Sequence, residues 1–246
     1  MKTMIFQIIR TNNYEEMSQA ASERVIQALA KNPQAVIGLA TGSTPEGLYQ
    51  YLIEDHQTRG TSYKYAKTVN LDEYIGLDHH NKNSYFSYMQ EKLFKHIDIN
   101  IDNTNLPNGM ASDLEEEALR YETHIREIGG VDLQILGIGH NGHIGFNEPG
   151  TSFQSKTHVV TLAENTREAN ARYFNSLDEV PTHALTMGIQ SIMDSKEIIL
   201  LASGASKAEA IKRLVYGEIS EDFPASVLRL HQKVTIIADE DALQLI

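Results

Sequence analysis

The chain of 246 residues has no cysteine. Disulfides, thiolate metal sites and a thiol nucleophile are thereby excluded. Positive charge is scarce as well: 21 Lys and Arg face 33 Asp and Glu, a formal net charge of −12. A nucleic-acid partner needs a basic face, and this balance argues against one. An anionic small molecule would have to be held by a few local cations against a repulsive background. No long apolar run occurs. The N-terminal MKTMIFQIIRTNN is short and is broken by Gln7 and Arg10. It suits neither a signal peptide nor a membrane span, so a cytoplasmic protein with no membrane partner is expected. Internal repeats, low-complexity tracts and linkers are missing. So are the G-x-x-x-x-G-K-[ST] phosphate loop, the G-x-G-x-x-G fingerprint, the G-x-S-x-G elbow and a helical H-E-x-x-H.

What is present is an alternation. Hydrophobic residues make up 41% of the chain, enough for a sizeable core. Apolar runs at 4–9, 35–40, 67–71, 132–138, 157–162, 197–202 and 234–238 read as strands. Helical spacing fills 14–31, 46–57, 83–96, 112–128, 164–174 and 206–216, with Ser112 and Glu115 fitting a capping box at the start of the fourth. Strands alternating with helices predict one doubly wound α/β domain over 1–246, its mostly parallel sheet covered on both faces.

The richest stretch is DLQILGIGHNGHIGFNEPG, residues 132–150. A short buried strand empties into a glycine-spaced loop carrying His140, Asn141, His143, Asn147 and Glu148, which is where α/β folds put their chemistry. His140 and His143 are too close for a helical zinc pair, and the glycines exclude a helix, so no metal is expected. Acid–base chemistry fits better: an imidazole titrates near neutrality and Glu148 is placed to orient it. Thr41-Gly42-Ser43-Thr44-Pro45 joins a strand to a helix. It reads equally as an anion cradle and as a helix cap in which Ser43 or Thr44 caps and Pro45 opens the helix. Ser203-Gly204-Ala205-Ser206-Lys207 has the same form. Its lysine opposes the helix dipole, which suits a bound anion, although a solvated surface lysine is as good a reading. Arg172 is a third anion contact or an exposed helix charge. Asp72 ends the strand TVNL, as a base for abstracting a proton beside a carbonyl or as a loop or capping carboxylate.

Taken together, GLATGSTPEGLY, VNLDEYIGL, GIGHNGHIGFNEPG, TREANARYF and SGASKAEAI resemble the glucosamine-6-phosphate deaminase family, within a larger group that includes 6-phosphogluconolactonases. The pieces occur in order over most of the chain, and VNLDEY with GHIGFNEPG is particular to the deaminase branch. The resemblance implies a modified Rossmann-like sheet. It also implies conversion of glucosamine 6-phosphate and water to fructose 6-phosphate and ammonia, with no cofactor. Asp72 would then move the C2 proton. His143 would open the sugar ring, positioned and tuned by Asn141 and Glu148. Thr41, Gly42, Ser43, Thr44, Lys207 and Arg172 would hold the phosphate.

Two departures from the family pattern carry expectations. Many members have Asp where this chain has Asn141, so Glu148 is the motif's only carboxylate for an imidazolium. Members activated by N-acetylglucosamine 6-phosphate carry Arg and Lys where this chain has His158 and Val160, and they have a longer tail than one ending at Ile246. A non-allosteric monomer or low-order homo-oligomer is therefore expected. A lactonase and a sugar-phosphate-sensing domain are the alternatives. The first would leave Asp72 idle; the second needs a DNA-binding domain for which residues 1–30 leave no room.

Overall fold

The computed structural model describes residues 6–246. In chain order the elements are β1 (Gln7–Thr11), α1 (Tyr14–Lys31), β2 (Val36–Leu39), α2 (Glu46–Arg59), β3 (Lys67–Asn70), β4 (Asp72–Tyr74), α3 (Tyr85–Lys92), β5 (Thr104–Asn105), α4 (Leu114–Glu127), β6 (Leu133–Leu136), β7 (His158–Thr161), α5 (Glu164–Asn170), β8 (His183–Thr186), α6 (Ile189–Met193), β9 (Ile198–Ala202), α7 (Ala208–Tyr216) and β10 (Val234–Asp239). Seven strands form a parallel sheet in the order β1-β10-β9-β6-β2-β3-β5.

Two cores follow from the two-residue period of the strands. On β9 and β10, Ile198, Leu200, Ala202, Ile236 and Ala238 face one way, against Tyr121 and Ile125 of α4, Ile192 of α6 and Ile211 and Leu214 of α7. Ile199, Leu201 and Ile237 face the other, against Met17, Ala21 and Val25 of α1, Leu48 and Leu52 of α2 and Met89 of α3. Both faces are covered, which is why these strands read as unbroken apolar runs. The modified Rossmann-like, doubly wound sheet expected from the sequence is present.

A feature absent from the sequence reading is a second sheet, three antiparallel strands in the order β4-β8-β7. The strand expected at 157–162 lies here as β7, and β4 pairs Asp72 with Thr186 of β8. Leu71 joins the two sheets. Its N–H donates to the Leu39 carbonyl at 3.1 Å, and its carbonyl accepts from the Met187 N–H at 2.7 Å.

Local expectations are adjusted in four places. The strand expected at 4–9 runs from Gln7 to Thr11, and Met4 and Ile5 lie outside the described residues. The cap of α4 is Asp113, whose side chain accepts from the Glu116 N–H at 3.0 Å, in place of Ser112 with Glu115. The helix expected over 83–96 is α3 followed by a 3-10 turn at 94–96, because Leu93 leaves helical geometry. The helices expected at 164–174 and 206–216 likewise each include a 3-10 turn.

Candidate active site

The strand order reverses between β2 and β6. From β2 the chain builds outward through β3 and β5, then returns to place β6 on β2's other side. Ligands of open α/β sheets bind beyond the strand ends at such a point. A cleft of about 510 Å³ lies there. The ten residues singled out from the sequence, Thr41, Gly42, Ser43, Thr44, Asp72, Asn141, His143, Glu148, Arg172 and Lys207, all line it.

The Thr41–Thr44 loop is not a side-chain cap. Pro45 occupies the cap position of α2 with no side-chain hydrogen bond, so the Ser43 and Thr44 hydroxyls are not spent on the helix. Outside the loop, the Tyr88 hydroxyl donates to the Gly42 carbonyl at 2.6 Å, and the Tyr14 hydroxyl donates to that of Ser43 at 2.8 Å. Gly42, at φ +94°, makes the turn. With the carbonyls held by the two tyrosines, the amides of Gly42, Ser43 and Thr44 have no acceptor among the described residues. Free N–H groups at a helix start form a site for an anion.

The matching loop after β9 differs. The Asp239 carboxylate accepts from the Ser203 hydroxyl and from the Gly204 N–H at 3.0 Å. Asp239 thus takes the first donors of this helix start, while the amides of Ala205 and Ser206 have no acceptor among the described residues. Lys207 still reaches the cleft. Its ammonium donates to the Ile138 carbonyl at 2.7 Å, and burial pulls its pKa down. Arg172 is exposed in a 3-10 turn, its guanidinium 4.7 Å over the Tyr173 ring and donating to the Tyr173 hydroxyl at 2.8 Å.

Asn141 links imidazole and carboxylate. Its Oδ1 accepts from the His143 backbone N–H at 3.2 Å, which fixes the amide's orientation. Nδ2 then donates to Glu148 Oε2 at 2.7 Å, and Oδ1 faces His143 Nδ1 at 2.8 Å. An amide oxygen only accepts, so Nδ1 carries the proton and Nε2 is left as the base. Glu148 Oε1 stands 3.8 Å from Nδ1. Burial draws the His143 pKa below its ordinary value, Glu148 pulls it up, and Lys207 and His140 push it down. A neutral imidazole with a free Nε2 can take a hydroxyl proton and return it to a neighbouring oxygen.

Asp72 is almost fully buried, and the pKa of its carboxyl is pushed up to about 8, by burial first and by Glu73 second. Glu73, also buried, accepts from the N–H groups of Tyr74, Tyr85 and Phe86 at 2.8, 2.9 and 3.0 Å. It thereby fixes the start of α3 and brings Tyr85, whose ring lies 4.6 Å from that of Tyr74, into the cleft wall. The sequence reading missed Tyr85 and the α5 residues Asn165, Thr166 and Asn170 that face the same cleft. The helix α5 reads ENTREAN, polar at nearly every position, so no face of it is marked in the sequence.

Comparison with known proteins agrees with this geometry. The family described as glucosamine-6-phosphate isomerases/6-phosphogluconolactonase matches residues 11–237. A glucosamine-6-phosphate deaminase of Halalkalibacterium halodurans is 58% identical over 237 residues, 96% of each chain. A solved monomeric glucosamine-6-phosphate deaminase is 55% identical, with a TM-score of 0.95 over 98% of this chain and 100% of that one. The 6-phosphogluconolactonase of Trypanosoma cruzi shares the fold alone: 21% identity, TM-score 0.77, covering 98% of this chain and 97% of that one. Sequence match, fold and the order of the cleft's loops thus converge, and the chain belongs to the glucosamine-6-phosphate isomerase/6-phosphogluconolactonase family.

Proposed function

We propose that this chain, working as one domain, converts glucosamine 6-phosphate and water to fructose 6-phosphate and ammonia without a cofactor. The observation that carries the reading is the pairing, in one cleft, of a free imidazole Nε2 with a buried carboxylate, beside a loop of unpaired amides. The loop of Thr41–Thr44 holds the substrate phosphate with Lys207 and Arg172. His143 removes the O1 proton and returns it to the ring oxygen, and the C1–O5 bond breaks to give the open aldehyde. Glu148 stabilises the transient imidazolium through the Asn141 amide. Asp72 then takes the C2 proton while O1 is protonated, forming the enolamine. Proton return to C1 yields the ketimine, which water hydrolyses to ketose and ammonium. The substrate ammonium, placed beside Asp72, favours the ionised base that burial disfavours.

The solved deaminase that is 55% identical is described as monomeric. Among the described residues, no helix is long and apolar enough to cross a membrane. With the acidic charge balance, these support a cytoplasmic monomer or low-order homo-oligomer that takes a small amino-sugar phosphate. The test is ammonia release from glucosamine 6-phosphate, with hydrolysis of 6-phosphogluconolactone measured beside it. Ammonia without lactone hydrolysis is expected; the reverse would make the chain a lactonase.

A further inference from the structure

We propose that Phe223 is a positioning residue for the ring-opening step, acting through the turn that carries His143; this rests on the role given to His143 above. The turn is sandwiched. On its inner side the His143 ring lies so close to Gly139 that a Cβ there would fall 2.1 Å from it. On its outer side a Cβ on Gly142, whose φ is +83°, would fall 2.3 Å from the Phe223 ring. The backbone closes on itself between the two rings: the Gly142 N–H donates to the Gly139 carbonyl and the Gly139 N–H to the His143 carbonyl, both at 3.0 Å. Only a residue without a side chain lets both flat rings approach one turn this closely.

Phe223 does not act alone. Residues 220–226 form a brace tied to the catalytic loop at three points. The Ala225 N–H donates to the Gly142 carbonyl at 2.8 Å, the Gly150 N–H to the Glu221 carbonyl at 2.9 Å, and the Phe153 N–H to the Glu221 carboxylate at 2.8 Å. The Ser226 hydroxyl spans the brace by accepting from the Ser220 N–H at 2.9 Å and donating to the Ser220 carbonyl at 3.0 Å. Phe223 is buried, and the Arg213 guanidinium sits 4.5 Å over its ring. No hydrogen bond among the described residues runs from this brace to Asp72 or β4. The brace is therefore hydrogen-bonded to the turn of His143, whereas it meets Leu71, next to Asp72, only through the shared apolar core.

That asymmetry is the test. Phe223→Leu keeps an apolar side chain but replaces the flat ring with a branched one. Ammonia release from glucosamine 6-phosphate should fall roughly tenfold or more, the scale of a displaced reacting group, while proton exchange at C1 of fructose 6-phosphate, measured with ammonium present, changes by less than about twofold. Histidine-selective 15N spectra, with His143 assigned by its loss in His143→Gln, should show a single Nδ1–H form in the wild type and a mixture in Phe223→Leu. Phe223→Tyr, which keeps the ring, should restore the wild-type ratio of the two rates. If Phe223→Leu does not fold, the exposed Arg213→Gln carries the same test, with the same direction and a smaller loss. A parallel fall in both rates, or no change in either with the tautomer intact, would overturn the proposal. If the wild type releases no ammonia, the deaminase reading fails instead, and the tautomer comparison alone decides the role of Phe223.

Discussion

Ionising Asp72 puts a charge where burial and the neighbouring Glu73 both oppose it. The folded carboxyl titrates near pH 8, against about 4 for an unfolded aspartate. Between those values the folded state holds a proton that the unfolded state releases, so stability falls as pH rises through this window. Asparagine cannot ionise. Asp72→Asn should thus match the wild type in thermal unfolding near pH 4 and exceed it by on the order of a few kcal/mol above pH 8. The same variant should lose roughly 10²-fold or more of proton exchange at C1 of fructose 6-phosphate in deuterated water with ammonium present, the scale of an absent general base. Near-normal exchange would remove Asp72 from the mechanism. At Asn141 a substitution to Asp changes charge and not shape. Asn141→Asp sets a carboxylate against His143 Nδ1 and against Glu148, where the amide now donates at 2.7 Å. The added negative charge favours the imidazolium, so the His143-dependent limb of the pH–rate profile should move to higher pH. This amide bridge was only partly legible. The sequence places Asn141, His143 and Glu148 in one loop, but which atom of the amide faces which partner is decided by the His143 backbone N–H.

Elements differ in how much of themselves they announce. The span of α1 is the one expected, because its start is marked by Asn13 capping the Glu16 N–H at 2.9 Å and its buried stripe repeats at helical spacing. The buried strands of the large sheet are equally plain. By contrast β4 is DEY and β8 is HALT, neither an unbroken apolar run, and both are fixed by pairing across more than a hundred residues of sequence. The start of α3, expected at 83, is Tyr85, and its N–H groups are satisfied by Glu73, from another element, beside the local cap Ser84. Glu73→Gln tests that arrangement. Burial pushes the Glu73 carboxyl up to about 7, so the cost is read below that pH: the amide NH2 cannot accept the Phe86 N–H, a loss of about 1–3 kcal/mol in thermal unfolding. The substitution also removes the charge that helps raise Asp72, so the rising limb of C1 exchange against pH should move to lower pH. A limb that stays in place would mean that burial alone sets the carboxyl.

For the whole molecule, the expectation concerns regulation. Lys156 is paired with Asp194 at 2.5 Å, the His158 Nδ1 is hydrogen-bonded at 2.7 Å to the Lys156 carbonyl, and Val160 packs into the small sheet's own cluster. None of the three offers an effector phosphate a free fixed charge. Initial rate against glucosamine 6-phosphate should be hyperbolic, and N-acetylglucosamine 6-phosphate should leave it unchanged. A sigmoidal curve relieved by the acetylated sugar would contradict this. The two sheets meet at Leu71, whose N–H belongs to one ladder and whose carbonyl belongs to the other. Side chains face alternate ways along a strand, so adding one residue beside Leu71 would let each sheet keep its own bonds yet turn Asp72 away from the cleft. At this junction the chain can tolerate changes of composition, but its length is fixed by the chemistry.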